Sequence, residues 1–344
     1  MALSVEEKFN LVKRNTSEII GEDDLKKVLK SKKKPVVYWG TAPTGKPHVG
    51  YFFPFLKIAD LLKAGFHVKI LLADLHAALD NTPWEILEHR YDYYEKVIPL
   101  MISAMGVDTR DLEFVKGSEM QLKPEYMYDV LQMSSLVSVH DSRKAAAEVV
   151  KNMEGDSAKL AGLIYPLMQA IDEQYLEVDA QLGGTDQRKI MVLARENLPK
   201  LGYKQRVEIL NPLVPGLIGK KMSSSNEKSK IDVLDDEKTV LDKLNGADCV
   251  AGDSDNGVMA FLKFVIFTLK NDFSETFVVE RPEKYGGNLE YKNYEEVEKD
   301  FSNKKLHPLD LKIAVAKELS NLLKPIQKHR KELEVLAKKG YPKV

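Results

Sequence analysis

Five residues in one short loop are of types that handle phosphate. Thr44, Gly45, Lys46, His48 and Gly50 lie in the stretch 40–50, which also holds Gly40 and two prolines. A helix opening directly after such a loop offers unpaired N–H groups and the positive end of its dipole to an anion. His48 suits donation to a phosphate oxygen, and the missing Cβ at Gly50 lets a flat base lie against the helix start. The spacing is neither that of a Walker loop nor GxGxxG. The same residues would also make a plain turn with a capping histidine.

A second loop carries Lys220, Lys221, Ser223, Ser224 and Ser225 after Gly216 and Gly219. Cations and hydroxyls on a closing loop would neutralise a polyphosphate; a solvated Ser-rich linker would look the same. Tyr165, Gln169 and Asp172 stand at i, i+4 and i+7. At the helical period they share one face within roughly 60°. Their neighbours are almost all apolar, so the stripe needs partners, either within the fold or on a polar ligand such as an amino acid. Gly183, Gly184, Thr185, Asp186 and Gln187 follow an apolar run. An acid after glycines at a strand's carboxyl end can hold ribose hydroxyls, or can simply cap a turn.

These residues need a scaffold that brings them together. The uninterrupted apolar run 35–39 reads as a buried parallel strand, followed by the loop, an amphipathic helix over 52–64 and a second strand over 68–73. Strand-like segments recur at 178–182 and 207–210, and a helix runs from Arg188 to about 198. Residues 3–31 read as two short amphipathic helices about Gly21, and 83–158 as mostly helical. After about 232 the pattern is helical and the nucleotide-loop signals stop, which puts a domain boundary between 225 and 236.

Composition narrows the class. The 344 residues suggest about two domains at roughly 150 residues each. The lone Cys249 excludes an intramolecular disulfide framework and a Cys-rich zinc site. No apolar run reaches the roughly 18 residues of a membrane span, and the N-terminus lacks a secretory h-region, so a cytoplasmic protein without a membrane partner is expected. Net charge is only −1, yet residues 312–344 hold nine Lys/Arg against three Glu. Near this basic stretch lie Tyr285, beside two glycines, and the turn His307-Pro-Leu-Asp310. An exposed aromatic with a nearby acid can read an unpaired RNA base; the bland equivalent is a packed tyrosine and a solvated helix face.

Taken in order, Tyr38-Trp-Gly-Thr, Thr44 to Gly50, Ala73-Asp-Leu-His-Ala77, Tyr165 to Tyr175, Val178-Asp-Ala-Gln, Asp186-Gln-Arg-Lys189, Lys221 to Ser225, Lys284-Tyr-Gly-Gly287 and His307 to Asp310 resemble the class I aminoacyl-tRNA synthetases, tyrosyl branch, archaeal and eukaryotic cytosolic type. The resemblance covers essentially the whole chain. It implies an α/β fold: a Rossmann-type parallel-sheet catalytic domain over 1–232, with N-terminal helices and an inserted helical dimer region at about 100–158, then an α-helical anticodon-binding domain over 233–344. No appended domain is expected after it.

By the same resemblance the reaction joins tyrosine to ATP, releasing pyrophosphate, and passes the tyrosyl group to the 3′ end of tRNA(Tyr). ATP with Mg2+ is the co-substrate, no side chain ligates a metal, and the chain is a homodimer. His48 would act on the phosphates and Gly50 under adenine, with Gly40 and Thr44 also at the ATP site. Gly184 and Asp186 would hold the ribose, and Lys221 with Ser223, Ser224 and Ser225 the pyrophosphate. Tyr38 and Asp172 would bind the phenol hydroxyl; Tyr165, Gln169 and Gln187 the amino group. Arg188 would approach the first acceptor base pair, Tyr285 would stack on the first anticodon base, and His307 and Asp310 would sit beside it. A site that pairs a buried hydroxyl rejects phenylalanine, because the pairing group is left unmet.

Two departures stand out. The first signature ends in Tyr51 rather than a second histidine, and Ser224 replaces the second lysine of the KMSKS pattern. Charge on pyrophosphate must then come from Lys221, with Lys220, Lys46 or a bound cation to help. Lys221→Ala is therefore expected to slow adenylate formation far more than it weakens tyrosine binding. Single-turnover and binding measurements showing equal losses in both would contradict this.

Overall fold

The computed structural model describes residues 3–150, 159–218 and 230–342. Six strands form its main sheet: β1 (Glu18–Ile20), β2 (Val36–Thr41), β3 (His67–Leu72), β4 (Leu112–Lys116), β5 (Ala180–Gly184) and β6 (Val207–Asn211). Their spatial order is β1-β6-β5-β2-β3-β4. Every neighbouring pair is parallel except β1 with β6. From β2 the chain moves outward through β3 and β4, then returns to β5 on the other side. The crevice between the carboxyl ends of β2 and β5 is thus the switch point at which such sheets bind ligands.

The apolar run in β2 has its reason here, since helices cover both faces of the sheet. Val37 and Trp39 enter one apolar cluster with the helix Phe52–Lys63. Tyr38 points the other way, into a second cluster with the helix Leu160–Tyr175. The first cluster does not stop at the sheet. It continues through Tyr93 and Val97 of the helix Leu87–Ala104 to Leu333 and Ala337 of the helix Arg330–Gly340. The C-terminal helices are therefore packed onto the sheet half by a shared core.

Four strands differ from the sequence reading. Ile19 and Ile20, counted with the flanking helices, lie in β1, where Ile19 pairs with Ile209 of β6. Gly21, at φ +93°, then starts the helix Glu22–Ser31. β4 sits inside the stretch read as helical; its alternation over five residues is too short to stand out against the surrounding period. The C-terminal half is helical as expected, with an added antiparallel hairpin of β7 (Phe277–Val279) and β8 (Leu289–Tyr291).

A buried ionic cluster joins three distant segments. Lys57, on the helix Phe52–Lys63, donates to the carbonyls of Val12 (3.0 Å), Leu11 (3.3 Å) and Arg14, closing the end of the helix Val5–Lys13. Asp60, one turn on, accepts from Lys57 (3.3 Å) and from Arg14, whose guanidinium also donates to Asp272 (2.6 Å). Lys57 and Asp60 are buried, and burial pulls the Lys57 ammonium down to about 8. Removing one partner of a buried pair leaves the other uncompensated. Asp60→Ala is expected to cost about 3 kcal/mol in denaturant unfolding; a loss under about 1 kcal/mol, as for an exposed pair, would contradict this assignment.

Candidate active site

A cavity of about 360 Å³ opens at the carboxyl ends of β2 and β5. Tyr38, Gly40, Thr44, Tyr165, Gln169, Asp172, Gly184, Asp186 and Gln187 all line it, so nine of the residues singled out from sequence meet in one place. Two of the glycines there sit tight against neighbouring side chains. A Cβ on Gly184 would lie 2.4 Å from Asp186 Oδ1, and one on Gly183 would lie 2.5 Å from Met191 Cε.

The polar stripe on the helix Leu160–Tyr175 forms one side. Asp172 is 1% exposed, and its Oδ1 accepts from Gln121 Nε2 and from the Tyr126 hydroxyl, both at 2.8 Å. Its Oδ2 is 4.0 Å from His76 Nε2, an atom with no hydrogen-bond partner among the described residues. His76 is buried and its ring stands edge-on to Tyr165 at 4.5 Å. Burial pulls His76 down to about 4, leaving it neutral, and pushes the Asp172 carboxyl up to about 7 against the lowering pull of its two donors. The Tyr38 phenol, also fully buried, is raised well above its ordinary value by burial and then by the charge of Asp172. Further along, Gln169 Nε2 donates to Gln187 Oε1 at 2.9 Å. The arrangement offers a buried carboxyl with an open oxygen beside a phenol, and an amide pair nearer the mouth. A ligand with a hydroxyl at one end and an ammonium at the other matches both.

His48 and Gly50 do not line this cavity; they form the turn next to Tyr51, which does. The Gly50 N–H donates to His48 Nδ1 at 3.1 Å, so the neutral ring carries its proton on Nε2. Burial, aided by the Lys230 charge, pulls His48 down to about 4. Its free donor is thus Nε2–H across the neutral range. Tyr51, where a second histidine is absent, has its hydroxyl 3.2 Å from that of Tyr94 and 3.5 Å from Thr41 Oγ1. Lys46 lies 3.6 Å from Asp232. Lys220, Lys221, Ser223, Ser224 and Ser225 lie outside the described residues.

The residues expected to meet RNA stand away from the cavity. Arg188 opens the helix Arg188–Asn197 and donates to both Glu18 oxygens at 2.6 and 2.9 Å. Tyr285 is 61% exposed in the short turn between β7 and β8, with Lys284 over its ring at 4.9 Å. His307 is exposed and caps the helix Pro308–Gln327 by accepting from the Leu309 N–H at 3.2 Å; Asp310 is in that helix's first turn.

Sequence reading missed Gln121, Tyr126 and His76. His76 was within reach, since Ala73–Ala77 follows a strand. Gln121 and Tyr126 arrive from a segment about fifty residues away, and no local pattern marks them. One signal was available: Gly117, a glycine within the stretch read as mostly helical. A Cβ there would meet Asp74 Oδ1 at 2.8 Å and Gln121 Oε1 at 2.9 Å, so the glycine lets Gln121 approach.

The model of the tRNA synthetases class I (W and Y) matches residues 30–324. The chain belongs to that family. Among relatives, the zebrafish (Danio rerio) cytoplasmic tyrosine–tRNA ligase is 52% identical over 99% of this chain and 64% of its own length. The Saccharomyces cerevisiae cytoplasmic enzyme is 47% identical over 98% of this chain and 88% of its own. This class I chain thus spans less than two thirds of the zebrafish relative. A solved tyrosyl-tRNA synthetase of Archaeoglobus fulgidus, in complex with L-tyrosine, superposes with a TM-score of 0.86 at 40% identity, covering 96% of this chain and 100% of that one.

The Asp172 shift carries a test of its own. A carboxyl raised by folding contributes stability fully below its unfolded value near 4 and loses it as pH rises through about 7. Asp172→Asn carries no such charge. Its stability relative to the parent synthetase is therefore expected to rise from pH 5 to 8 by a few kcal/mol, then level off. A difference independent of pH in urea unfolding would contradict the buried carboxyl.

Proposed function

We propose that the chain is a tyrosine–tRNA ligase. The observation that carries this reading is Asp172, a buried carboxyl with one oxygen held by two donors and the other open to the cavity beside the Tyr38 phenol. Tyr38 and Asp172 take the phenol hydroxyl of tyrosine. Tyr165, Gln169 and Gln187 take its ammonium. This places the substrate carboxylate toward Gly40, Thr44, Gly184 and Asp186, where ATP lies with its ribose on Gly184 and Asp186 and its adenine over Gly50. A tyrosine carboxylate oxygen bonds to the α-phosphorus, the bond from that phosphorus to the bridging oxygen breaks, and pyrophosphate leaves. His48 Nε2–H, with Lys221 and Ser223 to Ser225, stabilises the developing charge. The tRNA 3′-terminal hydroxyl then attacks the tyrosyl carbonyl and AMP leaves. Catalysis on this account is positioning and electrostatics, with no acylated side chain.

Mg2+ enters as a companion of the ATP phosphates. Among the described residues no three His, Cys, Asp or Glu side chains converge as a metal site. Residues 1–232 form the catalytic unit and 233–344 the anticodon unit, where Tyr285, His307 and Asp310 face the anticodon; Arg188 faces the acceptor end. The inserted region serves dimerisation. Leu122, Tyr128, Leu131 and Val139 there are each more than 60% exposed, which suits cover by a second copy. The relatives are named cytoplasmic, and no helix among the described residues is long and apolar enough to cross a membrane.

Pyrophosphate exchange with each of the twenty amino acids tests the reading. Activity with tyrosine alone is expected; tryptophan instead would select the sister enzyme, and silence a non-catalytic RNA-binding role. Asp310→Ala is expected to raise KM for tRNA and leave tyrosine-dependent exchange normal. A collapse of that exchange would refute its assignment to RNA.

A further inference from the structure

Arg90 lies on the helix Leu87–Ala104, outside the cavity lining, yet it grips the loop that leads to His48. Its Nη1 donates to the carbonyls of Pro43 (3.3 Å) and Thr44 and to Thr82 Oγ1 (3.3 Å). One helical turn on, the Tyr94 hydroxyl donates to the Gly45 carbonyl. Two side chains at i and i+4 thus take three successive loop carbonyls. The other side of the same guanidinium faces the C-terminal helix. Its Nε donates to the Gly340 carbonyl at 2.9 Å, and its central carbon lies 4.7 Å from the Tyr341 ring centroid. The approach is close: a Cβ on Gly340 would be 3.1 Å from the His89 carbonyl and 3.2 Å from Arg90 Cγ. Tyr341 is further held edge-on by Tyr93, at 5.8 Å between ring centroids.

We propose that Arg90 is a positioning residue for the nucleotide end of the site, braced by Gly340 and Tyr341, so that docking of the C-terminal helix sets the geometry of the 43–45 loop. The proposal rests on the ATP role given above to Thr44 and His48. Its physical basis is the planar fork of the guanidinium, which holds its donors to the two segments in one fixed geometry. The loop contributes only main-chain carbonyls to this joint. Its shape therefore depends on where the donors stand, and Arg90 is placed by a segment 250 residues away in sequence.

The test compares the parent protein with Arg90→Lys and Tyr341→Ala. Binding of a non-hydrolysable ATP analogue is measured by calorimetry, and KM for ATP and for tyrosine by pyrophosphate exchange. Arg90→Lys is expected to weaken the analogue and raise KM for ATP by about tenfold, the scale of one charge-assisted hydrogen bond. KM for tyrosine should stay within about twofold. Tyr341→Ala, which leaves Arg90 in place, should shift ATP binding in the same direction by about threefold and keeps the test open if Arg90→Lys does not fold. Unchanged analogue binding in a folded variant, or equal rises in both KM values, would overturn the brace. A parent protein that binds the analogue without tyrosine-dependent exchange would sink the tyrosine reading, while the binding comparison would still decide the role of Arg90.

Discussion

A carboxyl group taken out of water costs several kcal/mol unless other groups replace its hydration. Asp172 is in that position, at 1% exposure, and much of the sheet half is arranged around keeping it there. Gln121 and Tyr126 supply donors to one oxygen. Gln121 reaches it because Gly117 lacks a Cβ, and because Asp74 accepts the Ser118 N–H at 2.8 Å and so fixes the turn after β4. The other oxygen faces the cavity with His76 nearby. One carboxylate oxygen is held by the protein, and a ligand lacking a hydroxyl would leave the other unmet.

The same requirement gives the sheet its part. Tyr38 is the central-strand residue that points into the Asp172 cluster, while its neighbours Val37 and Trp39 face the opposite layer. The carboxyl ends of β2 and β5 then bring the phenol end of the cavity and the Gly184–Asp186 turn within one ligand's length. Beyond that turn, the loop before His48 is shaped by carbonyls held from Arg90 and Tyr94. The core that carries those helices is continuous with the C-terminal helices, so the loop before His48 and the C-terminal half share one mechanical support.

Much of this was legible in the residues. A run buried on both faces announces a parallel strand, and a phenol, an amide and a carboxylate on one face of an apolar helix announce a polar site. What was hidden depends on contacts far apart in sequence. Ile19 and Ile20 fit a helical period, but pairing with Ile209 and its neighbours makes them a strand. Gln121 and Tyr126 have no local mark, because their role is set by Asp172 about fifty residues away. Arg90 reads as an ordinary charge on an amphipathic helix until Pro43, Thr44 and Gly340 are seen around it.

The most direct measurement of the central claim is the ratio of kcat/KM for tyrosine over phenylalanine in pyrophosphate exchange, in the parent protein and in Gln121→Leu and Tyr126→Phe. Neither substituted residue is placed on the substrate; each bonds Asp172, Gln121 also touching His76 Nδ1 and Tyr126 the Met168 carbonyl. If the buried carboxyl network sets recognition of the hydroxyl, each change lowers the ratio by at least about tenfold, mainly through lost tyrosine activity. A ratio that stays at the parent value in both folded variants would contradict it.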